Sequence, residues 1–297
     1  MKNVLVTGAN GFIGSHITRL MKERGFNVVG WDINPNAEKN VYRVNMICDE
    51  ITRYMESIKP DIIIHCAGMA NVGESIRHPL LDFEANVTAT YHLLEAVRES
   101  AFQKTRIIFL SSAGVYGQPK DLPIRENQSL TPLSPYALHK QIAEETCLYY
   151  RKQHHVDIKI ARIFSAYGPG LKKQLFWDMN TKAEQFQSLE MFGTGKESRD
   201  FIYIDDLTEA LYLIATCTKC DEIIYNVANG KEITIKHAAE IFSHFRKVNS
   251  IEFNGITREG DPLNWCADIS RLKKLGYEQK VSFEEGVKKY IEWIQER

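Results

Sequence analysis

Long apolar runs are missing from this chain of 297 residues. None approaches the roughly 18 residues of a membrane-spanning helix, so no membrane partner is expected. An excess of one charge is missing too: 37 Lys and Arg stand against 38 Asp and Glu, which leaves no electrostatic footprint for nucleic acid. Internal repeats and low-complexity tracts are absent. Met1-Lys2-Asn3 passes straight into the strand-like Val4-Leu5-Val6 with no leader between, and a cytoplasmic protein is expected. The six cysteines, Cys48, Cys66, Cys147, Cys217, Cys220 and Cys266, lack the spacing of a disulfide framework, as in a reducing compartment. Cys217-Thr218-Lys219-Cys220 has zinc or redox spacing, but no second pair or nearby His completes a ligand set. Two free thiols and no bound metal are therefore expected.

What is present is an ordinary globular composition, 44% hydrophobic and 25% charged. Its apolar residues follow two alternating periods. Val4 to Gly8 reads as a strand, and Phe12 to Arg24 carries Phe12, Ile13, Ile17, Leu20 and Met21 at the spacing of one helix face. Strands are then predicted over Asn27 to Asp32, Asp61 to Ala67, Ile107 to Ser112 and Ile158 to Phe164. Helices are predicted over Asp49 to Ile58, about Leu80 to Glu99, and about Tyr136 to Gln153. Alternating strands and helices imply parallel crossovers, and strands as uniformly apolar as Ile62-Ile63-Ile64 imply a sheet covered on both faces. The expected class is α/β, a doubly wound parallel sheet with a smaller C-terminal α/β lobe. Looser patterning after Tyr167-Gly168-Pro169-Gly170 divides the chain into a nucleotide-binding part, 1–168, and a mainly substrate-binding part, 169–297, with segments near 200–228 returning to the sheet. In the second part, Phe176 to Gln187, Ile235 to Phe245 and Phe283 to Gln295 read as helices and Glu222 to Ala228 as a strand.

Gly8-Ala9-Asn10-Gly11-Phe12-Ile13-Gly14 lies between the first strand and the first helix. Glycines there let the backbone approach a diphosphate, and the helix start offers free N–H groups and a positive dipole end. Asp32, ending the second strand, suits the ribose hydroxyls and repels a 2'-phosphate, which favours NAD over NADP. Tyr136 and Lys140 are one helical turn apart, and Ser111 and Ser112 end a predicted parallel strand, where open α/β sheets place their ligands. A phenol with pKa near 10 is a poor base at neutral pH unless nearby positive charge favours the phenolate.

The three-and-three glycine spacing, with Ser and Tyr-x-x-x-Lys, resembles the extended branch of the short-chain dehydrogenase/reductase superfamily. Over nearly the whole chain the resemblance is to the NAD-dependent nucleotide-sugar epimerase/dehydratase family, most of all its UDP-glucose 4-epimerase type. His65-Cys66-Ala67-Gly68, Val72-Gly73-Glu74-Ser75, Asn86 at the head of Asn86-Val87-Thr88-Ala89, Arg199 to Asp206, and Arg258-Glu259-Gly260-Asp261 match further family blocks. The resemblance implies NAD as cofactor, held by Gly8, Asn10, Gly11, Phe12, Ile13, Gly14, Asp32, Ala67, Gly68 and Asn86, with Tyr136 and Lys140 beside it. It implies Tyr136 as acid/base, Lys140 as the residue that lowers its pKa, and Ser112 as partner of the reacting oxygen, Ser111 being the alternative hydroxyl. Arg199 and Arg258 would clamp the diphosphate of a nucleoside-diphosphate sugar, with Ser111, Ser112 and Ser165 also on the substrate side.

Three positions depart from that pattern. Ser165 stands for the usual Asn, Ala70 for a lysine of the galactose epimerases, and Trp265 for a Tyr or a smaller residue. An inward Trp265 would disfavour a 2-N-acetyl sugar. The family's central helices also imply a homodimer, with Leu93, Leu94, Leu148 and Tyr149 as apolar surface to bury. The favoured activity is 4-epimerisation. A 4,6-dehydratase is disfavoured because Ala113 and Gly114 replace an acidic pair. A 4-keto-6-deoxy sugar reductase uses the same parts and is the runner-up; a non-catalytic NAD sensor would not need Ser112, Tyr136 and Lys140 together.

Overall fold

The computed structural model describes residues 1–100, 104–186, 188–256 and 263–296. The first half alternates as read: β1 (Asn3–Thr7), α1 (Phe12–Glu23), β2 (Asn27–Asp32), β3 (Val41–Arg43), α2 (Ile51–Ile58), β4 (Ile62–His65), α3 (Val72–Arg77) and α4 (Pro79–Phe83). Then come α5 (Ala89–Glu99), β5 (Arg106–Ser112), α6 (Pro135–His154), β6 (Asp157–Ile163) and β7 (Ser165–Tyr167). The second half adds α7 (Gln174–Phe186), β8 (Ser188–Met191), β9 (Ser198–Arg199), β10 (Phe201–Tyr203), α8 (Ile204–Thr216) and β11 (Ile224–Val227). It closes with β12 (Ile233–Thr234), α9 (Ile235–Arg246), β13 (Ser250–Phe253), α10 (Ser270–Lys273) and α11 (Phe283–Gln295).

Seven strands pair in the order β11-β6-β5-β4-β1-β2-β3, every neighbour parallel. The order reverses between β1 and β4, the switch point at which ligands of such sheets bind. The two-residue period sends alternate side chains to opposite faces. Val4, Val6, Ile62, Ile64, Ile108 and Leu110 enter one core, while Leu5, Ile63, Ile107 and Phe109 enter the other. That double burial is why the strands read as continuous apolar runs.

The helix predicted from Leu80 to Glu99 is interrupted by a π-helical turn over Glu84–Thr88. Such wide turns recur at functional sites. After β7 the chain leaves the sheet for α7 and β8, then returns: α8 packs along α1, and β11 pairs with β6. Arg162 on β6 and Glu144 on α6 form a buried pair, with side chains 3% and 2% exposed. Arg162 Nε donates to Glu144 at 3.0 Å and Nη2 at 2.7 Å, while Nη1 donates to the Tyr116 hydroxyl and the Glu126 carbonyl.

Two expectations are corrected here. Cys217 and Cys220 are joined as a disulfide, not free: α8 ends at Thr216 and the chain doubles back, placing their Cα atoms 6.0 Å apart. Leu93 and Leu94 are fully buried against the sheet and offer no surface, Leu148 packs at the edge of the same core, and Tyr149 alone of the four is exposed. On α5 and α6 the inward stripe is wider than one apolar row, so neighbouring leucines point into the core rather than to a partner.

Candidate active site

At the switch point lies a cleft of about 800 Å³. Its lining includes Gly8, Gly11, Phe12, Ile13, Gly14, Gly68, Ser111, Ser112, Tyr136, Lys140, Ser165, Arg199 and Trp265. The glycine turn is dictated by its neighbours. Gly8 has φ +65°, and a Cβ there would lie 2.8 Å from the Ala67 nitrogen. A Cβ on Gly14 would collide with the Gly8 carbonyl. No side chain caps α1 at Gly11, which leaves the first-turn N–H groups for a bound anion. Asp32 sits beside this turn, its carboxylate accepting from the Asn10 and Asn34 backbone N–H groups, both at 3.0 Å.

Asn10, Asp32, Ala67 and Asn86 are not among the residues that line the cleft. Asn86, delivered by the π-turn, donates to the Met69 and Asp82 carbonyls at 3.1 and 3.0 Å. Its Oδ1 is buried with no partner among the described residues, under Gly68, where a Cβ would come within 2.5 Å of it. Behind Asn86, Thr90 bonds its carbonyl and also meets His65 Nε2, whose Nδ1 meets the Thr7 hydroxyl at 2.7 Å. Burial pushes the His65 imidazole down to about 3, so this chain linking β1, β4 and α5 stays neutral at physiological pH. Positive-φ glycines, unfilled first-turn amides and an orphaned amide oxygen at the strand ends fit a dinucleotide such as NAD.

Ser134 caps α6, its hydroxyl accepting from the Ala137 N–H at 3.2 Å, and Pro135 starts the helix, so Tyr136 enters the cleft from the first turn. Ser112 Oγ accepts from the Gly114 N–H at 3.1 Å and lies close enough to Tyr136 to favour its phenolate. Ser111 Oγ is buried and has no partner among the described residues. Of the two hydroxyls, Ser112 is the one that acts on the Tyr136 phenol. Burial raises the Tyr136 phenol to about 12, against the smaller opposing effect of Ser112. Lys140 is buried, its Nζ donating to the Leu110 carbonyl at 2.9 Å, and burial lowers its ammonium to about 8. The ammonium is thus turned to the strand end. A Cβ on Gly114 would fit tightly, 3.3 Å from Ser112 Oγ and 3.4 Å from Ala137.

At the far end, Trp265 donates its indole N–H to the Gly117 carbonyl at 3.2 Å, and the Arg199 guanidinium lies 5.6 Å from its ring. Arg199 Nη1 donates to the Ser198 and Leu263 carbonyls at 2.8 and 3.2 Å. Asp200, fully buried next to it, accepts from the Asn229, Gly230 and Ala267 N–H groups and fixes the turn that presents the arginine. Arg258 lies outside the described residues. Lys173, which the sequence reading passed over, also lines the cleft.

The profile of the NAD dependent epimerase/dehydratase family matches residues 4–228. The chain belongs to this family. A putative UDP-glucose 4-epimerase of Methanocaldococcus jannaschii is 32% identical over 98% of each chain. Among solved structures, the UDP-glucuronic acid 4-epimerase of Bacillus cereus, in complex with UDP-glucuronic acid and NAD, superposes with a TM-score of 0.89 at 28% identity, covering 100% of this chain and 99% of its own. The UDP-N-acetylglucosamine 4-epimerase of Methanobrevibacter ruminantium, in complex with UDP-N-acetylmuramic acid, gives 0.89 and 28% over 99% and 98%. NAD is the cofactor of this family. Among the described residues no group of His, Cys, Asp and Glu is arranged to hold a metal, and no helix is long and apolar enough to cross a membrane.

Proposed function

We propose that this member of the epimerase/dehydratase family is a cytoplasmic 4-epimerase of a nucleoside-diphosphate sugar. The observation that carries the reading is the placement of Ser112, Tyr136 and Lys140 in one cleft with the glycine turn, beside Ala113 and Gly114 rather than an acidic pair. Tyr136 takes the proton of the C4 hydroxyl and returns it to the same oxygen after the sugar has turned. Ser112 hydrogen-bonds that oxygen and relays between it and the phenol. Lys140 holds the cofactor's ribose side of the cleft. Bound NAD supplies the hydride acceptor, and the hydride goes back to the opposite face of the 4-keto sugar. Arg199 meets the substrate diphosphate through its guanidinium, Arg258 is the second clamp, and Ser165 lines the same cleft as Arg199. Trp265 narrows this end, which suits a 2-hydroxyl sugar better than a 2-N-acetyl one.

The test is stoichiometry. With UDP-glucose or UDP-galactose, interconversion of the C4 epimers is expected with no net change in nicotinamide absorbance. Absorbance loss that tracks product on a 4-keto-6-deoxy sugar, with no 4-hydroxy sugar epimerised, would replace this reading by the reductase.

A homodimer through α4, α5 and α6 completes the proposal. Leu80, Leu81, Tyr91, Leu138 and Tyr149 are 70%, 53%, 49%, 45% and 59% exposed on these helices. So much apolar surface on adjoining helices favours a second copy as cover. Sedimentation velocity at micromolar concentration is expected to give a dimer, and Tyr149→Glu with Leu81→Glu a monomer; a monomeric parent protein would end this part of the proposal.

A further inference from the structure

Lys173 follows Leu171 on the stretch that leads into α7. It is only partly exposed, and its Nζ crosses to the Ala70 carbonyl at 2.8 Å, a bond between residues 103 apart in sequence. Ala70 belongs to the loop after β4, and the same loop includes Ala67, whose backbone nitrogen leaves no space for a side chain on Gly8. The other end of Lys173's own stretch rests on α1. A Cβ on Gly170 would lie 3.6 Å from Phe12 and 3.5 Å from His16, in the first turns of that helix. The lysine therefore spans the cleft between two segments that flank the glycine turn. Burial alone shifts its ammonium, downward, and no charged group among the described residues offsets this. A partly buried cation whose sole recorded partner is a neutral carbonyl is an incomplete electrostatic arrangement, and an anion in the cleft would complete it.

We propose that Lys173 is a latch that meets the diphosphate of the bound dinucleotide, tying the loop before α7 to the loop after β4 across the cofactor. The first-turn amides of α1 address the diphosphate from one side, and the ammonium closes over it from the other. Ala70 brings no charge of its own, so Lys173 adds a cation to this loop from the far side of the cleft, beside the Lys140 ammonium near Gly68. The inference rests on NAD occupying the glycine turn and is independent of which sugar is turned over. It gives a physical means of retaining the cofactor through many cycles, which an epimerase needs and a reductase must avoid.

The test compares NAD release from wild-type holoenzyme, Lys173→Met and Lys173→Arg, together with titration of UDP onto each. Losing one charge-assisted hydrogen bond is expected to speed NAD release by about tenfold or more in Lys173→Met. Lys173→Arg, which keeps the charge, is expected to stay within about threefold of wild type, and UDP affinity is expected to be unchanged. Unchanged NAD release in Lys173→Met would overturn the proposal. So would weakened UDP binding with normal NAD release, which would give the lysine to the substrate's diphosphate, and so would equal weakening of both, which would mark a general loosening of the cleft. None of these readouts depends on epimerase turnover, so a wrong substrate and a wrong latch are told apart.

Discussion

Tyr136→Phe is expected to lower turnover by about a hundredfold or more while NAD binding and melting temperature stay near wild type. The substitution removes the phenolic oxygen that Ser112 acts on and leaves the ring in the first turn of α6. At neutral pH the phenol holds its proton, because burial has raised it to about 12. It is therefore ready to donate, and it accepts a proton only when the cleft gains positive charge. Single-turnover kinetics on the NAD-loaded variant is the measurement. A rate within threefold of wild type would remove Tyr136 from the chemistry and send the search to the buried Ser111 hydroxyl and its surroundings.

The largest stability effect is expected at Arg162. Arg162→Met leaves the Glu144 carboxylate in a dry interior without its guanidinium, a loss of about 3 to 5 kcal/mol. Against a total of roughly 5 to 15 kcal/mol for a folded protein, that is a large fraction. Glu144 lies one turn beyond Lys140, so this pair locks the helix of Tyr136 and Lys140 to β6. Denaturant midpoints are expected to fall sharply for Arg162→Met, and the double change Arg162→Met with Glu144→Leu is expected to recover much of the loss, since two apolar groups need no partner. An unchanged midpoint in the single variant would show that Glu144 finds other partners or takes up a proton without penalty.

The sheet and the glycine turn were legible because their constraints are local. A strand buried on both faces must be apolar throughout, and a turn whose Cβ positions are filled by backbone must be glycine. The Tyr136 and Lys140 pair was legible through helical spacing, and Ser112 through its place at a strand end. Features set by tertiary contact were not. The α8 helix carries Ile204, Leu207, Leu211 and Ile214 at the spacing of one helix face, but it follows β10 without a break, so its start merges with the apolar run Phe201-Ile202-Tyr203-Ile204. Strands as short as β9 and β12, two residues each, are too brief to show a period. The π-turn at Glu84–Thr88 leaves no trace in composition, although it decides where Asn86 points. Arg162 and Glu144 look like two surface charges until folding brings them together, and Lys173 acquires its meaning only from a loop 103 residues away. The redox spacing of Cys217 and Cys220 is visible in the sequence, but whether the pair is bonded depends on how the chain turns after α8.

The route of the chain after β7 bears on how such enzymes can be rebuilt. Because α8 covers α1 and β11 extends the sheet beyond β6, the cofactor-binding half is finished only by residues near 204–227. Cutting after residue 168 would strip the flank of one helix and the edge of one strand, so the first half is not a module that can be fused at a single junction. Exchanging the cleft end that carries Arg199 and Trp265 between relatives therefore calls for grafts with three seams, one on either side of the segment from α7 to β9 and a third after β11. New sugar preferences in this architecture would arise by remodelling insertions within an intact nucleotide-binding frame rather than by joining a new partner to its end.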